Sequence, residues 1–192
     1  MVQLHNSEER YGAVALGLHW FMALVLTALL GLGLYMTSLP DVGFNTVKIR
    51  LILYHKELGI IALALVALRL LWRLVNRLPR LAETLPDWQK VMARFVHLCF
   101  YALMFALPIT GWLMSSAAAI PVPVLSLFTL PDLVGRSDKL FHTLIDIHML
   151  LAYGLIACML VHIGAALRHH FMLRDDTLKK MLPHRADDKE PT

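Results

Sequence analysis

Charge is what this 192-residue chain has least of. Only 17% of positions are Asp, Glu, Lys or Arg, against roughly 25% in a soluble globular domain. With 58% hydrophobic residues and a mean hydropathy of +0.61, the deficit excludes an ordinary water-soluble domain and indicates a membrane protein. Cysteine is scarce too: Cys99 and Cys158 both fall inside apolar runs and read as small buried hydrophobes, not as a disulfide. No Cys-x-x-Cys-His occurs, which excludes covalent c-type haem attachment. The chain lacks a P-loop, an H-E-x-x-H and any Ser/His/Asp order, so nothing resembles a hydrolase. The net charge of +4 does not indicate nucleic acid, because the cations cluster beside the apolar runs. Residues 1–12, MVQLHNSEERYG, lack the basic segment and small-residue cleavage site of a signal peptide, so the first apolar run is expected to remain as a span.

Long apolar runs are abundant. A membrane helix needs about 20 apolar residues, and four blocks of that length are present, roughly Ala13–Met36, Leu51–Val75, Val91–Ser115 and Leu140–Leu167. They predict an all-α fold, an up-down four-helix bundle in the membrane. It forms one domain over residues 1–182, with a polar tail over 183–192. Pro108 inside the third run predicts a kink tolerated because neighbouring groups satisfy the freed carbonyl. Basic residues set the orientation. Arg69, Arg73, Arg77, Arg80, Lys90 and Arg94 flank the connection between runs two and three, and Arg168, Arg174, Lys179, Lys180, Arg185 and Lys189 follow run four. The other side has Lys48, Arg50, Lys56, Arg136 and Lys139. Both termini are therefore expected to be cytoplasmic, with the two other loops outside. The loop 116–137 on the opposite side is strongly apolar and reads as a lid over the bundle mouth or as a Pro-rich connector resting on headgroups.

Ten histidines remain to be placed. His148 and His162 are fourteen residues apart in the fourth run, a rise of about 21 Å and almost four turns, so they share a face at two depths. Ionisable groups inside a membrane are costly and default to a functional reading. Counting inward from each end of an up-down bundle puts His19 at the depth of His162 and His55 at the depth of His148. Two cross-helix pairs at matched depth are what bis-imidazole ligation of two stacked macrocycles requires. The competing reading is that each ring only hydrogen-bonds a neighbouring carbonyl. His142 lies six residues before His148, a rotation of about 240°, and is expected at the interface. His97 reads as core or interfacial packing, or as a contact to a propionate or quinone; His169 and His170 read as headgroup or propionate contacts, and His5 and His184 lie in polar tails. Gly59, Gly31 and Gly33 could let a porphyrin approach. Arg69 or Arg73 could pair with haem propionates or merely snorkel. Trp20, Trp72 and Trp112 read as interfacial anchors.

Two imidazoles per iron leave no open coordination position, which suits outer-sphere electron transfer. Two non-covalent b haems would then form a wire between the membrane faces. A metal transporter would want carboxylates along its path, and the only acid deep in the fourth run is Asp146.

His19-Trp20, His55-Lys56 followed by Gly59-Ile60, Arg69-Leu70-Leu71-Trp72-Arg73, the pair His148/His162 and the tail His169-His170-Phe171…Asp175-Asp176-Thr177-Leu178 together resemble the bacterial cytochrome b561 family. The resemblance runs from about Tyr11 to Met181. It implies four helices around two b haems, with His19 and His162 on one iron and His55 and His148 on the other, in agreement with the depth pairing. Some members of that family oxidise superoxide and pass the electron to ubiquinone, and others are related to membrane subunits of hydrogenases and dehydrogenases. The expectation is therefore a diheme electron carrier with quinone as partner. It is either a superoxide:ubiquinone oxidoreductase or, alternatively, the haem-binding membrane anchor, with a partner protein subunit, of a larger oxidoreductase. The outer cations could attract superoxide.

Overall fold

A computed structural model describes residues 3–40, 45–79, 86–125 and 127–182. Arg80 of the cationic connection, and His184, Arg185 and Lys189 of the tail 183–192, lie outside the described residues. Four long helices dominate: α1 (Ala13–Ser38), α2 (Thr46–Val75), α3 (Asp87–Ala117) and α4 (Asp138–Arg168). All four are long and apolar enough to cross a membrane. At 26 to 31 residues they measure about 39–46 Å and outreach a hydrocarbon core of about 30 Å. The helices α2, α3 and α4 begin before the apolar runs that predict them because their start signals lie outside those runs, whereas α1 begins with its run at Ala13. The Asn45 side chain accepts from Lys48 N at 3.1 Å ahead of α2, and Ser137 Oγ accepts from Leu140 N at 3.3 Å ahead of α4. Pro86 precedes α3, whose first residue, Asp87, opposes the positive helix end. At the other end of α1, Leu39 is extended because it precedes Pro40. The helix α3 runs through Pro108 without a break.

Helices adjacent in sequence pack together, α3 with α4 most extensively. The core is small and lies mid-bundle: Met22, Val66 and Met104 form one buried cluster, Val25, Leu29 and Ala62 another. In sequence these residues fall between the histidine levels, after His19 on α1 and between His55 and Arg69 on α2. Large apolar side chains such as Leu24, Leu68, Leu98 and Leu150 face outward, as lipid-facing surfaces do. Such a surface would be an aggregation liability in water.

Both ends of the described chain meet at one end of the bundle. His5 stacks on Trp72 with ring centroids 5.3 Å apart and donates to Asn76 Oδ1 at 3.0 Å. Asn6 Nδ2 donates to the Arg77 carbonyl at 2.9 Å, and Trp20 Nε1 donates to the Met181 carbonyl at 2.7 Å. The fold-back of residues 3–12 requires glycine at position 12, where a Cβ would collide with the backbone carbonyls of Leu4 and His5. Gly12→Ala should therefore weaken this end by about 1–3 kcal/mol, the usual cost of overpacking. Faster proteolytic removal of the N-terminal segment, with the four spans intact, is the expected readout.

The opposite end carries a feature that apolarity alone does not announce. The loop expected as a lid or connector contains an antiparallel hairpin, β1 (Val122–Val124) paired with β2 (Phe128–Leu130), and β1 packs on α2. Trp112 Nε1 donates to the Pro131 carbonyl at 3.0 Å and Ser116 Oγ accepts from Leu133 N at 3.1 Å, tying the loop to α3.

Candidate cofactor site

Two groups of imidazoles lie inside the bundle, one toward each end. At the hairpin end, His55 of α2 faces His148 of α4 with ring centroids 6.3 Å apart and planes at 75°. Both rings touch a helix where no side chain intervenes. A Cβ on Gly33 would stand 3.4 Å from His55 Cε1, and one on Gly111 3.5 Å from His148 Cε1. Gly31 and Gly59, expected to make room for a macrocycle, have open space where a Cβ would be. His148 Nδ1 lies 3.0 Å from Thr110 Oγ1, which itself donates to the Leu107 carbonyl at 2.9 Å. His55 Nδ1 is buried without a well-formed hydrogen bond, although the Leu29 carbonyl faces it.

At the terminal end, His19 of α1 and His162 of α4 have centroids 6.2 Å apart at 60°. The fourteen-residue spacing thus brings each α4 histidine to a partner on another helix. His97 of α3, read from sequence as packing or a peripheral contact, is also here, its ring edge-on to His162 at 5.8 Å. His97 Nδ1 donates to the Ala93 carbonyl at 2.6 Å, so its Nε2 carries the free lone pair. Arg69 Nη2 lies 2.8 Å from His19 Nδ1. A guanidinium only donates, so His19 accepts there. Arg73 sits over the Tyr101 ring at 5.7 Å. These side chains line a cavity of roughly 1140 Å³ that reaches the tail residues after α4.

The remaining described histidines join neither pair. His142 is exposed and packs against Phe141, and His170 packs against Phe171. His169 opens a π-turn (His169–Leu173) and bonds through Nδ1 to Asp175 Oδ2 at 2.5 Å. Arg174, left-handed at φ 53°, turns the chain back to make this contact. Partial burial pushes the Asp175 carboxyl up, but the Thr177 hydroxyl, the His169 ring and the Thr177 amide outweigh it and hold the carboxyl below its ordinary value. A carboxyl depressed in the folded state adds stability above its unfolded value and loses it as pH falls through the folded one. The tail clasp should therefore hold at neutral and mildly acidic pH and open below the carboxylate range. Asp175→Asn should flatten that dependence, measured as protease sensitivity after Arg174 against pH.

Among the described residues, no cluster of three or more His, Cys, Asp or Glu side chains is placed to hold a bare metal ion. A metal between two imidazoles must draw its other ligands from elsewhere, which is what a porphyrin provides. Comparison with known proteins agrees with that chemistry. A family model described as prokaryotic cytochrome b561 matches residues 10–184. Cytochrome b561 homolog 2 of Escherichia coli (strain K12) is 31% identical over 185 residues, which cover 95% of this chain and 96% of that one. Cytochrome b561 homolog 1 of the same organism is 30% identical over 134 residues, covering 68% and 74% of the two chains. The probable superoxide oxidase CybB of Yersinia pestis is 27% identical over 177 residues, covering 91% and 97%.

Proposed function

The chain belongs to the prokaryotic cytochrome b561 family, a membrane b-type cytochrome of electron transfer, and on that premise we propose that it binds two b haems and carries electrons from one membrane face to the other. His55 and His148 hold one haem, and His19 and His162 the other. One observation carries this reading: the two imidazole pairs stand 6.3 and 6.2 Å apart, centre to centre. Two metal–nitrogen bonds of about 2 Å, with half a ring on each side, call for about 6 Å. The donor set fits as well, since neutral nitrogen ligands in an apolar bundle suit a non-covalent haem. Such a haem supplies a one-electron centre with no open position for a substrate.

The protein's part is to bind, orient and insulate. The buried residues Met22, Val25, Leu29, Ala62, Val66 and Met104 fill the interval between the two levels and exclude water there. Arg69 and Arg73 supply cations for the propionates of the terminal-side haem. Because Arg69 donates to His19 Nδ1, ligation through His19 Nε2 requires Arg69 to leave that nitrogen, and a propionate is the anion that would take it. Residues 1–182 act as one membrane domain in the inner membrane, with both termini cytoplasmic and the hairpin outside.

Quinone is the proposed acceptor and superoxide the proposed donor, the latter by likeness to the probable superoxide oxidase. Two superoxide anions each give up one electron and leave as dioxygen. One ubiquinone takes both electrons and two protons to become the quinol. Stopped-flow mixing of the purified protein with superoxide, with ubiquinone present, tests this directly. Haem reduction by superoxide and reoxidation by quinone are expected. A chain inert toward both reagents would sink the enzymatic version in favour of a membrane anchor subunit.

A further inference from the structure

The geometry points to Thr110 as a positioning residue that sets the tautomer and donor strength of His148 toward iron. The inference rests on the reading of His55 and His148 as ligands of one haem. A threonine hydroxyl has one proton to give. Thr110 Oγ1 spends it on the Leu107 carbonyl at 2.9 Å, a backbone atom that can only accept. The contact of 3.0 Å between Thr110 Oγ1 and His148 Nδ1 therefore runs the other way, with the ring N–H donating to the hydroxyl. The Leu107 carbonyl also faces that nitrogen, so every partner behind the ring is an acceptor. His148 is thus fixed with its proton on Nδ1 and its lone pair on Nε2, in a ring whose centroid lies 6.3 Å from that of His55.

Sequence and helix position explain why α3 can do this. Thr110 and Gly111 stand side by side just after Pro108. The hydroxyl bonds the ring from one residue while the missing side chain of the next lets the ring lie against the helix, with Cε1 3.5 Å from where a Cβ would be. His55 has no equivalent, its Nδ1 lacking a well-formed bond. The pair is asymmetric, and Thr110 acts on one member only. A metal-bound imidazole whose other N–H donates to an acceptor is the more basic ligand. It stabilises the ferric state and lowers the reduction potential. Thr110 therefore tunes the hairpin-side haem downward and leaves the terminal-side haem alone.

The test uses the full chain purified in detergent, as native protein, Thr110→Val, Thr110→Ser and His148→Ala. Haem content, low-spin electron paramagnetic resonance and potentiometric titration are the readouts. The titration wave missing in His148→Ala identifies the hairpin-side haem. In Thr110→Val that wave should move upward by about a tenfold change in the oxidised-to-reduced ratio, about 59 mV for one electron, with its resonance signal shifted. Thr110→Ser should restore both, and the other wave should not move. Loss of the hairpin-side haem in Thr110→Val with retention in Thr110→Ser supports the same role. Unchanged potential and resonance in Thr110→Val, or equal haem loss in both variants, overturns the inference. A His148→Ala protein that keeps both haems overturns the ligand reading instead.

Discussion

Purified His148→Ala protein is expected to carry one haem per chain, against the two proposed for the native protein, and His55→Ala should do the same. The expectation follows because, among the described residues, no third histidine ring packs against this pair. The nearest histidine in sequence, His142, is exposed against Phe141 and does not approach the pair. The helix neighbours of the two rings at Gly33 and Gly111 have no side chains, so neither offers a ligand. An iron left with one imidazole loses half of its protein attachment, and a non-covalent haem has no other bond to the chain. The bundle itself should survive, because its buried clusters are built from other side chains and the removed ring packs against bare backbone at Gly111. Pyridine haemochrome content against protein concentration is the measurement. His142→Ala in the same assay should leave two haems. An unchanged ratio in His148→Ala would remove the basis for both proposed sites.

Much of this was readable from periodicity. Four apolar runs located four helices, and the fourteen-residue interval in α4 placed His148 and His162 on one face. Depth counting then selected His55 and His19, the rings the structure sets opposite them at 6.3 and 6.2 Å. Three features were not readable, each for a physical reason. The helices overrun their apolar runs because capping by Asn45 and Ser137 is a local hydrogen-bond event that hydropathy does not register. The β1–β2 hairpin depends on pairing Val122 with Leu130 across a charge-free, proline-rich loop, and apolarity alone cannot distinguish a strand from a surface-lying coil. The place of His97 beside His162 was not readable, because depth puts it near His162 but says nothing about which way α3 is rotated. Its hydrogen bond to Ala93, one turn back, aims the ring at the cavity. The tail behaves similarly: periodicity says nothing of the π-turn and the left-handed Arg174 that deliver His169 to Asp175.

His162→Ala should have the largest functional consequence of any single change, ending electron transfer across the membrane. Its ring is the one that both other imidazoles at the terminal end face, His19 at 6.2 Å and His97 at 5.8 Å. No choice of partner rescues a haem that has lost it. In proteoliposomes with a reductant on one side and an acceptor on the other, the variant should fall to the rate of protein-free vesicles, with one haem per chain remaining. The partner is then decided by two further variants. His19→Ala should match His162→Ala, whereas His97→Ala should keep both haems if His19 and His162 are the pair that holds the iron. The opposite pattern, haem lost with His97 and kept without His19, would reassign the ligand to α3. That result would also explain Arg69 differently: with its guanidinium donating to His19 Nδ1, His19 would then serve to hold Arg69 in the cavity wall. Haem stoichiometry of these three proteins therefore separates a ligand from a neighbour at the one level where the fold brings three imidazoles together.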